Sequence, residues 1–188
     1  MTRTTSQIHV GDRIRQLRTD HGLSVRTLAA TVGFSPSFIS QVEHGQVSPS
    51  IASLERIAAA LGVTLGGFFS GSAPSPAAVV RATGRQELTS TWSRATIEAL
   101  GPVGGTHTLE PILITLTPGG RSGTRPHATL GEQFAFVCDG DVMLTLREST
   151  YTLRQGDAVS IAAGTPQQWE NTGSSPARVL MVSARAGA

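Results

Sequence analysis

The fold of the first third of the chain is decided by residues 33–45, which read Gly-Phe-Ser-Pro-Ser-Phe-Ile-Ser-Gln-Val-Glu-His-Gly. Gly33 stands where a preceding helix would need a left-handed residue in order to end. Ser35-Pro36 then begins a new helix, because serine is a good N-cap and proline loses nothing at the first helical position. Ile39 and Val42 supply the apolar face of that helix, and the final glycine ends it. The stretch therefore predicts a turn followed by a short amphipathic helix.

Similar signals on both sides of this stretch predict further short helices. A first helix carries apolar residues at helical spacing from Val10 and ends at His21-Gly22. Ser24 is a natural N-cap for the helix that precedes the turn, and Ser50 is one for a helix that Gly62 stops. A short fifth element is expected over Thr64–Phe69. Two helices joined by a turn of about four residues that contains glycine fit the helix-turn-helix description.

Taken together, these segments resemble the lambda-repressor-like, XRE-type helix-turn-helix domain. The resemblance is carried by residues 14–18, 23–24, 28–29, 33–45, 48–50 and 54–63. It implies a five-helix domain that inserts the helix over residues 35–44 into the major groove of double-stranded DNA. The implied DNA-binding residues are Ser24, Arg26, Ser35, Pro36, Ser37, Phe38, Ser40, Gln41 and His44. The alternative is a helical domain with the same packing that binds another protein.

The residue types on the predicted recognition helix indicate what it could read. Glutamine can bond an adenine edge in bidentate fashion, so Gln41 is the candidate base reader, whereas serine reads bases ambiguously. Pro36 and Phe38 are candidates for apolar contact with a thymine methyl group. The free N–H groups near Ser24 suit a phosphate. Because one helix-turn-helix unit reads only half a site, a homodimer on a pseudo-palindromic operator is expected.

The distribution of charge favours an anionic partner for the N-terminal segment. All 15 cationic residues are arginine, and the chain carries a formal net charge of +2. Residues 1–70 hold six arginines against four acids, whereas residues 71–188 hold nine of each. Arg26, together with Arg15 or Arg18, is therefore expected to contact phosphates. A solvated helix face is the alternative explanation of the same charges.

Composition also excludes several classes of protein. The sequence has no run of 18 apolar residues, so it predicts no membrane-spanning helix. Residues 1–10 are polar and lack a signal-peptide core. Cys138 is the single cysteine, which excludes an intrachain disulfide and any site built from several cysteines. We expect a cytoplasmic protein.

The spacing of apolar residues changes from helix-like to strand-like across residues 70–77. These residues are rich in serine, proline and glycine, which predicts a linker. This divides the chain into a helix-turn-helix domain at 8–69 and a second domain at 78–186. The second domain carries short apolar runs separated by turn signals, which is typical of a sandwich or barrel. The predicted strands are Val79–Arg81, Ile112–Leu116, Phe134–Cys138, Val142–Leu146, Tyr151–Leu153, Ala158–Ile161 and Val179–Val182.

Residues 119–140 and 153–171 resemble the two paired motifs of the cupin double-stranded β-helix. The expected fold class is therefore multidomain, with an α-helical DNA-binding domain followed by an all-β cupin barrel. A helix-turn-helix followed by a cupin is a known arrangement of transcriptional regulators. In this arrangement the cupin domain is expected to dimerise and to sense a small-molecule effector.

The positions that hold metal in metal-binding cupins are substituted in this sequence. His127 fits the first histidine position, but Thr129, Gln133 and Gln167 stand where a histidine, a glutamate and a histidine are found. Glu132 lies one residue away and should point to the other side of its strand. One imidazole with two amides and a hydroxyl is a poor set for iron or zinc. We expect no metal and no cofactor, unless Glu132 or the distant His107 is recruited.

Without a metal, these four residues would form a polar lining in an apolar barrel, suited to hydrogen-bonding a small molecule. Interior polar groups that satisfy one another without a ligand are the alternative. Some proteins with the same domain order are mononuclear iron oxygenases of the epoxidase type, which need a His, Glu, His set. Because that set is absent at the aligned positions, we expect a regulator rather than an enzyme. A DNA-binding antitoxin or scaffold with an inert barrel is a third possibility.

Overall fold

The computed structural model describes residues 6–7, 9–69, 79–101 and 108–184. Its N-terminal part contains four α-helices that pack around one apolar core. Their bounds are α1 (Val10–Asp20), α2 (Val25–Val32), α3 (Pro36–Glu43) and α4 (Ile51–Ala60). Within the described residues, no helix is both long and apolar enough to cross a membrane.

The helix ends form where the sequence predicts them. The hydroxyl of Ser24 accepts a hydrogen bond from the backbone N–H of Thr27 at 3.0 Å, and that of Ser35 accepts one from Phe38 at 3.1 Å. Ser50 caps α4 in the same way. Gly33 has a φ of 66°, the left-handed conformation that ends α2 and opens the turn to α3. Local capping chemistry therefore sets the helix-turn-helix geometry.

The predicted fifth helix is a single 3-10 turn over Gly66–Phe68. Gly66 and Gly67 stand side by side, and glycine has the lowest helix propensity after proline, so a full helix does not form. Phe68 and Phe69 are fully buried and anchor this turn in the core. The helical domain thus has four α-helices and one 3-10 turn among the described residues.

The rest of the described chain is predominantly β-structure. The strands are β1 (Ser6–Gln7), β2 (Gln86–Ser90), β3 (Ala95–Ala99), β4 (Leu109–Leu116), β5 (Gln133–Asp139), β6 (Val142–Leu146), β7 (Ser149–Leu153), β8 (Ala158–Ile161), β9 (Gln167–Glu170) and β10 (Ala177–Ala184). They form a seven-stranded sheet in the order β1-β2-β3-β4-β10-β5-β8 and a three-stranded sheet in the order β7-β6-β9. The two sheets enclose an apolar interior, which confirms the predicted cupin-like barrel.

The sequence predictions were wrong at five places in the β-structure. Val79–Arg81 is not a strand: Val79 is 78 % exposed, so no burial stabilises an extended conformation there, and a 3-10 turn follows at Ala82–Gly84. The two-residue strand β1 was missed, and so were β2, β3 and β9. Each of them carries several polar residues, so its apolar content is too low to stand out, and pairing with neighbouring strands decides its conformation.

The N-terminus of α4 is hydrogen-bonded to loops of the barrel. The backbone N–H of Ile51 donates to the hydroxyl of Ser93 at 3.0 Å, and that of Ala52 donates to the carbonyl of Ser122 at 2.8 Å. These are two of the N–H groups that a helix start leaves without an intrahelical partner. The barrel therefore completes the capping of α4, a helix of the helical domain. The predicted linker at 70–77 lies outside the described residues, and the division into 8–69 and 78–186 stays a prediction.

Candidate functional site

The predicted DNA-binding residues lie on α2, on α3 and in the turn between them. Most have exposed side chains, and only Phe38 and Ser40 are half-buried; the exposed ones are Ser24, Arg26, Ser35, Pro36, Ser37, Gln41 and His44. Ser37 and Gln41 are four positions apart in the sequence, so they lie on the same face of α3. The predicted set thus lies at the starts of two consecutive helices, in the turn between them and along α3, and most of it is exposed to solvent.

Several members of this set already have intramolecular partners. The hydroxyls of Ser24 and Ser35 accept the capping hydrogen bonds of their helices. The ring of Phe38 packs against that of Phe34, with centroids 4.9 Å apart. Nδ1 of His44 lies 2.7 Å from the carbonyl oxygen of Ser40. Ser37 and Gln41 are therefore the polar residues of α3 whose exposed side chains are most available for contacts with base edges.

Arg18, one of the two arginines offered as a second phosphate contact, is instead a structural residue. It is buried and forms a bidentate pair with Glu43 of α3, with Nε to Oε1 at 2.6 Å and Nη2 to Oε2 at 2.9 Å. Its Nη1 also donates to the carbonyl of Leu23 at 2.8 Å. The hydrogen bonds to Glu43 raise the pKa of Arg18 above its ordinary value. Arg15, which is exposed, remains available.

The pairing with Arg18 also buries Glu43, which is the only acidic residue of α2 and α3. Glu43 is the single acid between His21 and Leu54 in the sequence. Because Glu43 is 5 % exposed and turned toward α1, no carboxylate of this stretch faces solvent. Arg26 supplies a positive charge at the start of α2. The surface formed by α2 and α3 is therefore free of negative charge, as a phosphate backbone requires.

Inside the barrel, polar side chains form a small connected network. Gln133 and Gln167 are almost fully buried, and Nε2 of Gln167 donates to the side-chain oxygen Oε1 of Gln133. Gln133 in turn donates to the hydroxyl of Ser183 at 3.1 Å. The indole N–H of Trp169 donates to Oε1 of Gln167 at 2.8 Å. Two of the predicted pocket residues are therefore already hydrogen-bonded to each other.

His127 is connected to this network through its backbone and to α4 through its side chain. Its backbone exchanges two hydrogen bonds with that of Gln167, at 2.9 and 2.8 Å. Its Nε2 contacts Oε2 of Glu55, and the two side chains are only 7 % and 8 % exposed. Nδ1 of His127 is buried and has no hydrogen-bond partner among the residues that the structure describes. A carboxylate from the helical domain thus reaches the predicted pocket.

Glu55 lines two small cavities. The first, of about 20 Å³, lies in the barrel interior and is lined mainly by apolar side chains together with His127 and Gln167. The second, of about 40 Å³, is lined by Gln133 and Thr129 together with the end of α4. The predicted pocket residues are therefore neighbours that are divided between two cavities. Thr129 is half-buried and donates to the carbonyl of Gly131 at 3.2 Å.

The lining of the barrel does not fit a transition metal. The side-chain oxygens of Gln133 and Gln167 already accept hydrogen bonds, and Nε2 of His127 is in contact with Glu55. Glu132 is exposed, as its strand position predicts, and His107 lies outside the described residues. Within the described part of the chain, no group of three or more histidine, cysteine or acidic side chains could hold a metal ion.

Glu55 is the residue that the sequence reading missed. It is 72 positions away from His127, so no local spacing could connect the two. One signal was available in the sequence. Glu55 follows Ile51 by four positions on α4, so the helical spacing places a charged side chain on the buried face. An acid on the inner face of a helix needs a partner, and here the barrel provides it.

Both parts of the chain match known families. A model described as "Helix-turn-helix" matches residues 14–68, and one described as "Cupin domain" matches residues 112–183. The chain is 31 % identical over 173 residues to the HTH-type transcriptional regulator PuuR of Escherichia coli (strain K12). That match covers 90 % of this chain and 91 % of the relative.

Two solved structures share the fold. The HTH_3 family transcriptional regulator from Vibrio cholerae superposes with a TM-score of 0.70 at 23 % identity, and the match covers 94 % of each chain. Hydroxypropylphosphonic acid epoxidase from S. wedmorenis superposes with a TM-score of 0.51 at 18 % identity, covering 97 % of this chain and 100 % of that one. At these identities the likenesses show the fold alone, so the sequence relationship to the regulator decides between regulator and enzyme. The chain belongs to the family of helix-turn-helix transcriptional regulators that carry a cupin domain.

Proposed function

We propose that this regulator binds DNA sequence-specifically through α3 and acts in the cytoplasm on a pseudo-palindromic operator. The observation that supports this most strongly is the surface of α2 and α3, where Ser37 and Gln41 are exposed while the only acid, Glu43, is buried. Gln41 would read an adenine in the major groove, with Ser37 and the half-buried Ser40 beside it. Pro36 and Phe38 would approach thymine methyl groups, and the N-termini of α2 and α3 would face phosphates.

Arg26 is the residue that tests the phosphate part of this proposal. Replacing it with alanine is expected to weaken binding to specific and non-specific DNA by a similar factor, because a phosphate contact carries no sequence information. The slope of log K against log salt should fall by about one. Fluorescence anisotropy at several salt concentrations measures both effects.

Arg154→Ala is the matched control, since Arg154 is exposed on the barrel, away from α2 and α3. It should leave the affinity and the salt slope unchanged. An Arg26→Ala variant that binds DNA as tightly as the wild type at every salt concentration would contradict the proposed orientation on DNA.

The proposed homodimer would use the outer face of the seven-stranded sheet. On this face Phe134 pairs with Val182 and Phe136 pairs with Leu180 across β5 and β10. Pro111 of β4 continues the first row, whereas Leu113 of β4, which continues the second, is already buried within the single chain. Phe134 is 43 % exposed in the single chain. The uncharged row of Phe134, Val182 and Pro111 suits an isologous contact with a second copy, which would place two recognition helices on two half-sites.

Replacing Phe134 by glutamate is therefore expected to convert the dimer into a monomer at micromolar concentration, since it would bury two unpaired charges in the interface. Sedimentation equilibrium measures the mass directly. Tyr151→Glu is the matched control, because Tyr151 is an equally exposed aromatic residue, 49 %, on the other sheet. A Phe134→Glu variant that remains dimeric would rule out this face as the interface.

The proposed effector site is the polar region of the barrel formed by His127, Thr129, Gln133 and Gln167. It is supported by the small, mainly apolar cavity and by the buried Nδ1 of His127, which needs a hydrogen-bond partner. An effector can change DNA binding only if it binds the two DNA-binding states of the protein unequally. The structure supplies a physical connection for this, because α4 belongs to the helical domain and also lines the cavity.

A further inference from the structure

Helix α4 carries two neighbouring charged residues that face different parts of the molecule. Glu55 enters the barrel and contacts Nε2 of His127. Arg56 donates to the carbonyl of Val32, the last residue of α2, and its guanidinium lies 4.5 Å from the centroid of the Phe34 ring in the turn. Phe34 in turn packs against Phe38 of the recognition helix. One helix therefore touches both the barrel pocket and the helix-turn-helix turn.

The carboxylate of Glu55 occupies the polar end of the barrel cavity. The remaining cavity is about 20 Å³, which is room for about one water molecule. A larger molecule can reach Nε2 of His127 only if the carboxylate of Glu55 leaves it. Removing Glu55 exposes a site with an imidazole at one end and Ile114, Leu116, Val179 and Met181 along its wall.

We propose that Glu55 is an internal substitute for the carboxylate of the effector, and that the effector is a small carboxylate with a short apolar body. The inference rests on the proposed sensing role of the barrel and specifies its ligand. The ligand's carboxylate would take the place of the Glu55 carboxylate on His127, and its hydrocarbon part would lie against the apolar wall. An amine would instead have to fit beside Glu55, in a cavity with room for only about one water molecule.

The same exchange explains how binding would reach the DNA surface. When the ligand displaces Glu55, α4 loses its buried contact in the barrel and changes position. Arg56 moves with α4, so the contacts to Val32 and Phe34 change, and with them the packing that orients α3. The ligand therefore binds the two states of α4 unequally, which is the requirement for coupling the two sites.

Chemical rescue tests the carboxylate site in the intact chain. In Glu55→Ala the truncated side chain leaves a space that matches acetate. Acetate at a concentration well above its Kd should then raise the melting temperature of this variant saturably, by about 2–4 °C or more. The wild type should not respond, and neither should Glu148→Ala, in which an exposed acid is removed. Rescue should disappear in the Glu55→Ala/His127→Ala double variant.

Neutral acetamide at the same concentration is the control for the charge. The proposal is overturned if acetate fails to raise the melting temperature of Glu55→Ala, if acetamide raises it equally, or if the double variant is still rescued. If Glu55→Ala does not fold, the fluorescence of Trp169, which lines the cavity, gives an independent test in a Trp92→Phe background. Hexanoate should then change the emission saturably, whereas hexylamine and hexanamide should not; no response to hexanoate overturns the proposal.

DNA affinity separates this inference from the function on which it rests. With wild-type protein, hexanoate is expected to change the affinity for the operator by about fivefold or more. In Arg56→Ala, hexanoate should still change the emission of Trp169 but should no longer change DNA affinity. If hexylamine changes DNA affinity and hexanoate does not, the carboxylate inference fails while the sensing role stands. If hexanoate binds the barrel without affecting DNA affinity, the sensing role fails.

Discussion

Replacing Glu43 by alanine is expected to lower the free energy of unfolding by about 3–5 kcal/mol. The substitution leaves the guanidinium of Arg18 buried without its carboxylate partner, and that guanidinium now has two strong hydrogen bonds to Glu43. Since Arg18 lies on α1 and Glu43 lies on α3, the loss falls on the packing that holds the recognition helix in place. Thermal unfolding followed by circular dichroism measures the effect.

Two further variants show whether the pair itself carries this effect. In Arg18→Met/Glu43→Leu both charges are removed, so the cost should be much smaller than in Glu43→Ala, because no charge is left unpaired. Glu132→Ala is the control for the loss of an exposed acid and should change stability by less than about 0.5 kcal/mol. A Glu43→Ala protein as stable as Glu132→Ala would show that the Arg18–Glu43 contact contributes little.

Replacing Gln41 by alanine is expected to weaken binding to the operator by about 1–3 kcal/mol, which is roughly fivefold to 150-fold. The same variant should bind random DNA as the wild type does, because a base contact contributes only to specific binding. Gln41 is exposed at the surface of α3, so the substitution should not affect folding. Titrations of both fragments by fluorescence anisotropy at one salt concentration give the comparison.

Ser37→Ala should have a smaller effect than Gln41→Ala, because a single hydroxyl discriminates bases less than a bidentate amide does. Gln46→Ala is the matched control, since Gln46 is exposed beyond the end of α3. If Gln41→Ala binds operator and random DNA with the same affinities as the wild type, α3 does not read the operator through this side chain.

The local chemistry of the helical domain could be predicted from the sequence, because it depends on residues close together in the chain. Ser24 and Ser35 cap helices whose first N–H groups are three residues away, and Gly33 ends a helix by its own conformation. These interactions need no information about the rest of the fold. The helix bounds and the exposed face of α3 therefore followed from the sequence.

Contacts between distant parts of the chain could not be predicted in the same way. Arg18 looked like a surface cation, because nothing in its neighbourhood shows that Glu43, 25 residues later, lies opposite it. The contact of Glu55 with His127 spans 72 residues and crosses from the helices to the barrel. In the barrel itself, β2 and β3 acquire their structure from pairing with each other and with β4. Tertiary packing decides such positions, and single-sequence patterns do not carry it.

The substituted cupin positions could be predicted from the sequence in part. The sequence correctly identified Gln133, Gln167 and His127 as interior polar residues and indicated that Glu132 would point outward. It could not show that the two glutamines bond to each other, or that α4 would bring a carboxylate to the histidine. The types of side chain at these positions followed from the motif spacing, whereas their hydrogen bonds and contacts could be seen only in the structure.

The most direct test of the central claim, that α3 reads a specific DNA sequence, is the ratio of two affinities of the wild-type protein. One fragment is the DNA upstream of its own gene, and the other is a scrambled sequence of equal length, both at about 0.15 M salt. Specific recognition predicts binding to the first that is tighter by about 10³-fold or more. Equal affinities for the two fragments would contradict the claim.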